Sequence, residues 1–230
     1  MCWNEHISLN TFLFSSFVLG LIVYNNSYTQ YKNPEFSIFL IIFALTIITM
    51  QLVEFFLWRN IKNKAYNHLF SIIGSIVIGI QPIAAAFIIQ NNFELSRTLS
   101  TLYLFTIALI SILYVSFYTV KIPTTVVSDS GNLHWKWMNE DTYIFHIFIA
   151  VWVIFFFTPF FYNAFQDVSF TNYWVYTLLF AAISFIYIFI SFSKYGTSSS
   201  LWCWVANSIF IFYSFKLLIY LPFIEKNALC

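Results

Sequence analysis

Charge is scarce in this sequence. Only 10 basic and 9 acidic residues occur among 230, or 8% of the chain, whereas soluble domains carry about 25% charged residues. So few charged side chains cannot cover the surface of a water-soluble globule of this length, and a soluble fold is excluded. The net charge of +1 at pH 7 provides no broad basic surface, so no nucleic-acid partner is expected.

Glycine and proline are also few, at five residues each. This excludes collagen-like and disordered low-complexity chains. The sequence is instead 60% hydrophobic and 23% aromatic, with 30 Phe. Such a composition predicts a polytopic membrane protein whose main partner is the lipid bilayer.

Seven apolar stretches meet or approach the roughly 20 residues that a helix needs to cross the hydrocarbon core. Barrel strands would be about ten residues long and would alternate, so membrane-spanning helices are predicted. No linker is long enough to separate domains, and we predict one all-α domain over residues 1–230, a seven-transmembrane-helix bundle. The predicted spans are Ser8–Tyr24, Phe36–Trp58, Leu69–Gln90, Thr98–Val120, Tyr143–Tyr162, Asn172–Phe192 and Ser200–Ile224.

Basic residues are unequally divided between the two sides of the predicted bundle. By the positive-inside rule the more basic side, called side A, is cytoplasmic together with the N-terminus, and the C-terminus is external or lumenal. The first span lacks the flanks of a cleaved signal peptide and is expected to be retained. Side-A loops carry Arg59, Lys62, Lys64, Lys121, Lys136 and Lys194, whereas side-B loops carry Lys32, Arg97 and Lys226.

Glu54 is the acidic residue that falls inside a predicted span, near the side-A end of the second helix. Gln51, Glu54 and Trp58 follow helical spacing, so Gln51 and Glu54 are expected to face into the bundle together. An ionisable group inside a membrane is a functional candidate by default. It either lines a side-A cavity as a protonatable or solute-contacting group, or it is a structural carboxyl bonded to a neighbouring helix.

The third span carries Ser71, Ser75 and Gly79 at four-residue spacing, which predicts a close helix–helix approach. Gln81 follows, beside Pro82. We expect Gln81 either to hydrogen-bond a partner inside the bundle or, next to a carbonyl opened by the proline, to contact a solute.

On the seventh span, Cys203, Asn207, Phe210 and Ser214 share one helical face, which we assign to the interior. Lys216 points the opposite way from Asn207. It is expected to face lipid and to extend its ammonium group toward side B.

Cysteine and histidine gather toward side A, and thiolates and imidazoles are ligands that zinc prefers. A zinc site built from Cys2, His6, His134 and Cys203 is one hypothesis; interfacial histidines and small buried cysteines are the other. No CxxC, HExxH or HxxxH spacing supports the metal. A disulfide between Cys2 and Cys203 is disfavoured in a reducing cytosol, and Cys2 is also a candidate for acylation.

The side-A loop after the fourth span predicts a short β-hairpin. Thr124–Val127 and Leu133–Trp137 favour strands, and they flank five turn-forming residues at 128–132. The hairpin either anchors tryptophans among the lipid headgroups or covers the Glu54 end of the bundle. Strand alternation places Leu133, Trp135 and Trp137 on one face and His134 and Lys136 on the other.

Short motifs in a fixed order resemble an uncharacterised family, a domain of unknown function in multi-pass membrane proteins of giant DNA viruses and some protists. The resemblance implies a seven-helix membrane protein and a viral source, and it carries no activity. Ser199 stands where that family has Gly. The motifs are Met1-Cys2-Trp3 with Ser8, Gln51-x-x-Glu54-x-x-x-Trp58, Gln81-Pro82, Gly131-x-Leu133-x-Trp135-x-Trp137 and Ser200-Leu201-Trp202-Cys203.

The expected function is binding or translocation of a small solute through a cytoplasm-facing cavity near Glu54, with Gln51, Gln81 and Asn207 as further contacts. The alternatives are a membrane-embedded metal-dependent enzyme that uses the Cys/His group, and a structural protein of a viral or host membrane. No catalytic residue is assigned. The enzyme is less favoured, because seven-helix zinc hydrolases place a histidine pair in the last span, where this chain has none.

Overall fold

The computed structural model describes residues 4–30, 32, 36–89, 92–117, 122–136, 143–166, 173–192 and 195–223. Cys2 and Trp137, the predicted metal ligand and headgroup anchor, lie outside these residues. Seven spans in the described part of the chain are long and apolar enough to cross a membrane. The predicted all-α, multi-pass membrane architecture with a small hairpin is confirmed.

Eleven elements occur in the part of the chain that the structure describes. The last span, Ser200–Phe223, combines two α-helices and a π-helical turn, whereas each of the other spans is one helix. The elements are α1 (Glu5–Tyr28), α2 (Ile38–Arg59), α3 (Lys64–Ala86), α4 (Phe93–Phe117), β1 (Thr125–Val127), β2 (Leu133–Trp135), α5 (Tyr143–Gln166), α6 (Tyr173–Phe192), α7 (Ser198–Asn207), α8 (Ile209–Phe215) and the π-helical turn Lys216–Tyr220.

Several helices begin before the apolar stretch that predicted them. α1 begins at Glu5 rather than Ser8, and α3 begins at Lys64 rather than Leu69. Polar caps account for the difference: the Asn4 side chain accepts from the Ile7 N–H, and the Asn63 side chain accepts from the Tyr66 N–H. Hydropathy marks only the part of a helix that suits lipid, whereas capping sets where the helix begins.

α2 is central to the bundle. It packs against α1, α3 and α7, and half of its apolar window is buried. α3 lies close to it at Gly74, where an added Cβ would lie 3.2 Å from the Met50 Cε and 3.4 Å from the Val53 Cγ1. The expected close approach therefore occurs at Gly74, whereas Gly79 has open space beside it.

Pro82 opens the hydrogen-bond ladder of α3, because it has no N–H to donate to the Ile78 carbonyl. The Trp152 indole N–H of α5 donates to this carbonyl at 2.8 Å. One residue further, the Tyr103 hydroxyl of α4 donates to the Gly79 carbonyl at 3.1 Å. Side chains from two neighbouring helices thus bond α3 at the proline, which lipid could not do.

The last span changes its helical geometry at Ser208. The Ser208 N–H donates to the Val205 carbonyl, three residues earlier, and the Ile211 N–H donates to the Ser208 carbonyl, also three residues earlier. Such tight turns advance the helix face faster than an α-helix does. As a result Tyr213 is fully buried, whereas Ser214 is not. The predicted interior face is confirmed for Cys203, Asn207 and Phe210 and is wrong for Ser214; these three are 3%, 2% and 2% exposed.

The Trp152–Ile78 bond should be essential where Pro82 is present. We expect Trp152→Phe to lower the free energy of unfolding by about 1–3 kcal/mol beyond the packing loss, because the Ile78 carbonyl is left without a donor. In a Pro82→Ala background the same substitution should cost less, since the introduced alanine supplies the missing backbone N–H. Denaturant titrations in detergent of the unmodified chain, the two single variants and the double variant measure the coupling free energy between Trp152 and Pro82. Equal costs in both backgrounds would contradict the assignment.

Candidate functional site

α2 holds Gln51 and Glu54 side by side inside the bundle. Both side chains are 0% exposed. The Gln51 Nε2 donates to the Glu54 Oε2 at 3.0 Å, as their i, i+3 spacing permits. This hydrogen bond fixes the direction of the carboxyl group in the interior of the membrane-spanning helices.

α7 brings Cys203 and Asn207 against the same stretch of α2. α2 and α7 pack against each other, and Cys203 is 3% exposed. The Asn207 Nδ2 donates to the Cys203 carbonyl at 2.8 Å and lies 3.5 Å from the Ile47 carbonyl, one turn from Gln51. Gln51 and Glu54 of α2 and Cys203 and Asn207 of α7 are thus buried polar residues of two helices that pack together; these four residues are called the Glu54 cluster below.

Gln81 lies on α3 and is also 0% exposed. Its amide nitrogen and its amide oxygen have no hydrogen-bond partner within the described ranges. No hydrogen bond of the described residues links it to the Glu54 cluster. The predicted inward position of Gln81 is observed, whereas the expected partner is not found among these residues.

The hairpin is bonded to the side-A half of α3. The Asn67 Nδ2 donates to the Thr125 carbonyl at 2.9 Å, and the Thr125 N–H donates to the Asn67 Oδ1 at 3.0 Å. The hydroxyls of Ser71 and Thr125 lie 2.8 Å apart, and the His68 Nδ1 lies 3.0 Å from the Pro123 carbonyl. Three polar contacts thus fix β1 to α3, and a fourth joins α3 to Pro123, two residues before the strand.

The second strand of the hairpin packs inward. Trp135 pairs with Thr125 in antiparallel register, and Leu133 and Trp135 are 0% and 2% exposed. His134 is half-buried and Lys136 is exposed, so the predicted alternation is confirmed for these four residues. Headgroup anchoring is wrong for Trp135, because the protein itself buries the ring. β2 contacts α7, and the hairpin therefore covers the side-A end of that helix.

Further polar atoms are buried at the side-A ends of α2 and α7. The Trp58 Nε1, the Thr197 Oγ1 and the Trp202 Nε1 are buried without a hydrogen-bond partner in the described part of the chain. Buried polar groups are normally bonded. These indole N–H and hydroxyl donors are therefore further candidates for the functional site.

The proposed zinc ligands lie in different environments. The His6 side chain is 78% exposed and lies 3.8 Å from the Glu5 carboxylate, whereas Cys203 is 3% exposed. Burial, and then the charge of Lys136, lower the pKa of His134, which keeps the imidazole neutral as a metal ligand requires. Among the residues described, no three His, Cys, Asp or Glu are placed to hold a metal. With Cys2 outside those residues, the zinc site stays a prediction.

Several polar residues of this region were missed by sequence reasoning. Asn67 precedes Ser71 by one helical turn, on the same face of α3, and this spacing was the signal that could have identified it. No sequence pattern indicated that Thr125 would bond α3, because these contacts depend on how the hairpin packs against the helix. Trp202 was noticed as part of a motif and not as a buried donor.

Comparison with known proteins does not identify a family. No family model, no curated protein and no solved structure matches the chain. The resemblance to the viral and protist family stays a prediction. Function therefore has to be inferred from the buried polar groups themselves.

Asn67 should be what holds the hairpin on the bundle. We expect Asn67→Ala to speed amide hydrogen exchange at Thr125 at least about tenfold, because the Thr125 N–H loses its acceptor. Asn63→Ala, which removes only the exposed cap of α3, is the matched control and should leave Thr125 protected. Exchange measured by mass spectrometry on the purified protein checks this. Unchanged protection in Asn67→Ala would show that β1 is held by other contacts.

Proposed function

We propose that this multi-pass membrane protein binds or translocates a small polar solute at the Glu54 cluster, entering from side A. The observation that carries the proposal is the Glu54 carboxyl, which is 0% exposed within membrane-spanning helices and is oriented by Gln51. An acidic residue at the centre of a spanning helix costs about 2.5–3.5 kcal/mol on insertion scales, less toward the interface. Such a cost favours a functional role.

The chemistry of the cluster suits a solute that carries hydrogen-bond donors. Gln51 holds one carboxyl oxygen, and the Asn207 Oδ1 is a buried acceptor with no partner in the described part of the chain. A cationic or amine-bearing solute would stabilise the ionised carboxylate, whereas a departing solute would leave the carboxyl to take up a proton. Glu54 can thus couple solute binding to protonation.

Nearby donors extend the range of groups that the site can recognise. The Trp58 and Trp202 indole N–H groups and the Thr197 hydroxyl lie at the side-A ends of the same helices. Carbonyl or hydroxyl oxygens of a solute would be their acceptors. A small molecule with both an amine and an oxygen acceptor therefore fits this set better than an apolar one.

Access is proposed from the face that the hairpin covers. That face carries more basic residues, so we place it and the N-terminus in the cytoplasm, with the C-terminus external or lumenal. The resemblance noted above would put the protein in a viral or host membrane. Gln81 is proposed as a deeper contact, because its buried amide has no partner among the described residues.

Glu54→Gln should preserve the fold and abolish transport. In vesicles containing the purified protein, we expect uptake of at least one class in a panel of labelled amino acids, amines and nucleosides. The substitution should slow this uptake about 10- to 100-fold, because a hydrogen bond to a charged group is lost. Glu94→Gln, which changes an exposed carboxylate at the start of α4, should leave uptake unchanged.

Three results would contradict the proposal. Full uptake by Glu54→Gln would make Glu54 a structural residue. Stoichiometric zinc in the purified protein, with no uptake of any solute, would favour the metal-dependent enzyme. Neither uptake nor metal would favour a structural membrane protein.

A further inference from the structure

An open groove extends from the side-B ends of the spans into the bundle. It is a groove of about 670 Å³, counting its open mouth, between α2, α5, α6 and the last span. It runs from Phe36 and Tyr173, at the side-B ends of α2 and α6, to Ser184 and Trp202 deeper in the bundle. No member of the Glu54 cluster lines it.

The walls of the groove are apolar and aromatic. Its two aliphatic hydroxyls are already used, since Thr177 donates to the Tyr173 carbonyl at 3.0 Å and Ser184 donates to the Ala181 carbonyl at 3.1 Å. A polar occupant would lose its hydration and find few partners in return. The part of a ligand that fills this groove is therefore a hydrocarbon chain.

The groove is continuous with the lipid-facing surface of α6. Phe180 lines it and is also 37% exposed, and Tyr176 and Ile183 beside it are 56% and 64% exposed. Only 6% of the apolar window of α6 is buried. The mouth thus opens into the hydrocarbon region of the bilayer, where acyl chains are the molecules at hand.

A cation lies beside the groove. The Lys216 Nζ is 5.6 Å from the centroid of the Tyr213 ring, and Tyr213 is a wall residue. Lys216 is the first residue of the π-helical turn, which ends at Tyr220. About 10 Å of helix separates Lys216 from Phe223. The ammonium group thus lies against a wall residue of the groove, and π-helical turns in α-helices are frequent at functional sites.

We propose that the groove binds one phospholipid of the side-B leaflet, with an acyl chain between α2, α5, α6 and α8 and the phosphate next to Lys216. The apolar walls select the chain, and the ammonium group selects the phosphate. This proposal does not rest on the solute proposed at the Glu54 cluster, although Trp202 lines the groove and its indole N–H is one of the donors assigned to that solute. It would hold α6, the least buried span, against the rest of the bundle.

Native mass spectrometry of the full chain in detergent micelles tests this site. The probes are palmitoyl-oleoyl-phosphatidylglycerol and palmitoyl-oleoyl-glycerol, which has the same chains without the phosphate. We expect one tightly bound phosphatidylglycerol and weaker binding of the diacylglycerol. Lys216→Gln should weaken phosphatidylglycerol binding about fivefold and leave diacylglycerol binding unchanged.

Ala206→Phe should fill the groove and weaken both lipids at least about fivefold. Ala150→Phe, at an exposed position of α5, and Lys62→Gln, at an exposed position on side A, are the matched controls and should bind as the unmodified chain does. Unchanged binding in Ala206→Phe would overturn the groove as the site. Equal binding of the two lipids, or an unchanged phosphatidylglycerol affinity in Lys216→Gln, would overturn the phosphate assignment.

Discussion

Every carbonyl inside a bilayer must find a donor in the protein, and this constraint governs how α3 sits in the bundle. Pro82 releases the Ile78 carbonyl, and the Trp152 indole N–H of α5 takes its place as donor. Because α3 also packs against α2 and α4 and bonds the hairpin, its position fixes most of the other elements. The hydrogen bonds near Pro82 thus join α3, α4 and α5 at one depth of the membrane.

Polarity then divides the bundle into two halves. Toward side A, Gln51, Glu54 and Asn207 are buried, and the hairpin is bonded to α3. Toward side B, an aromatic groove opens to the surrounding lipid. Buried polar groups suit a solute from water, whereas apolar walls suit a chain from the bilayer. The two proposed ligands therefore come from different phases.

Much of this arrangement follows from sequence, because composition and periodicity act locally. Seven apolar runs and a cluster of turn formers were enough to predict the spans and the hairpin, and helical spacing placed Glu54 and Gln51 inside. The rest depends on contacts between distant segments. Nothing near Trp152 in the chain indicates that it will meet Ile78, and nothing near Thr125 indicates Asn67. The spacing of small residues pointed to Gly79 rather than Gly74 as a point of close approach between α3 and another helix. Which glycine faces α2 depends on the packing of the two helices.

The interruption at Ser208 has a mechanical consequence for the last span. The ladder of α-helical bonds is broken there, between the segment that carries Cys203 and Asn207 and the segment that carries Tyr213 and Lys216. A break of this kind lets each segment take its own rotation about the axis of the span. The outer segment therefore turns Tyr213 and Leu217 into the bundle, where they are 0% and 3% exposed.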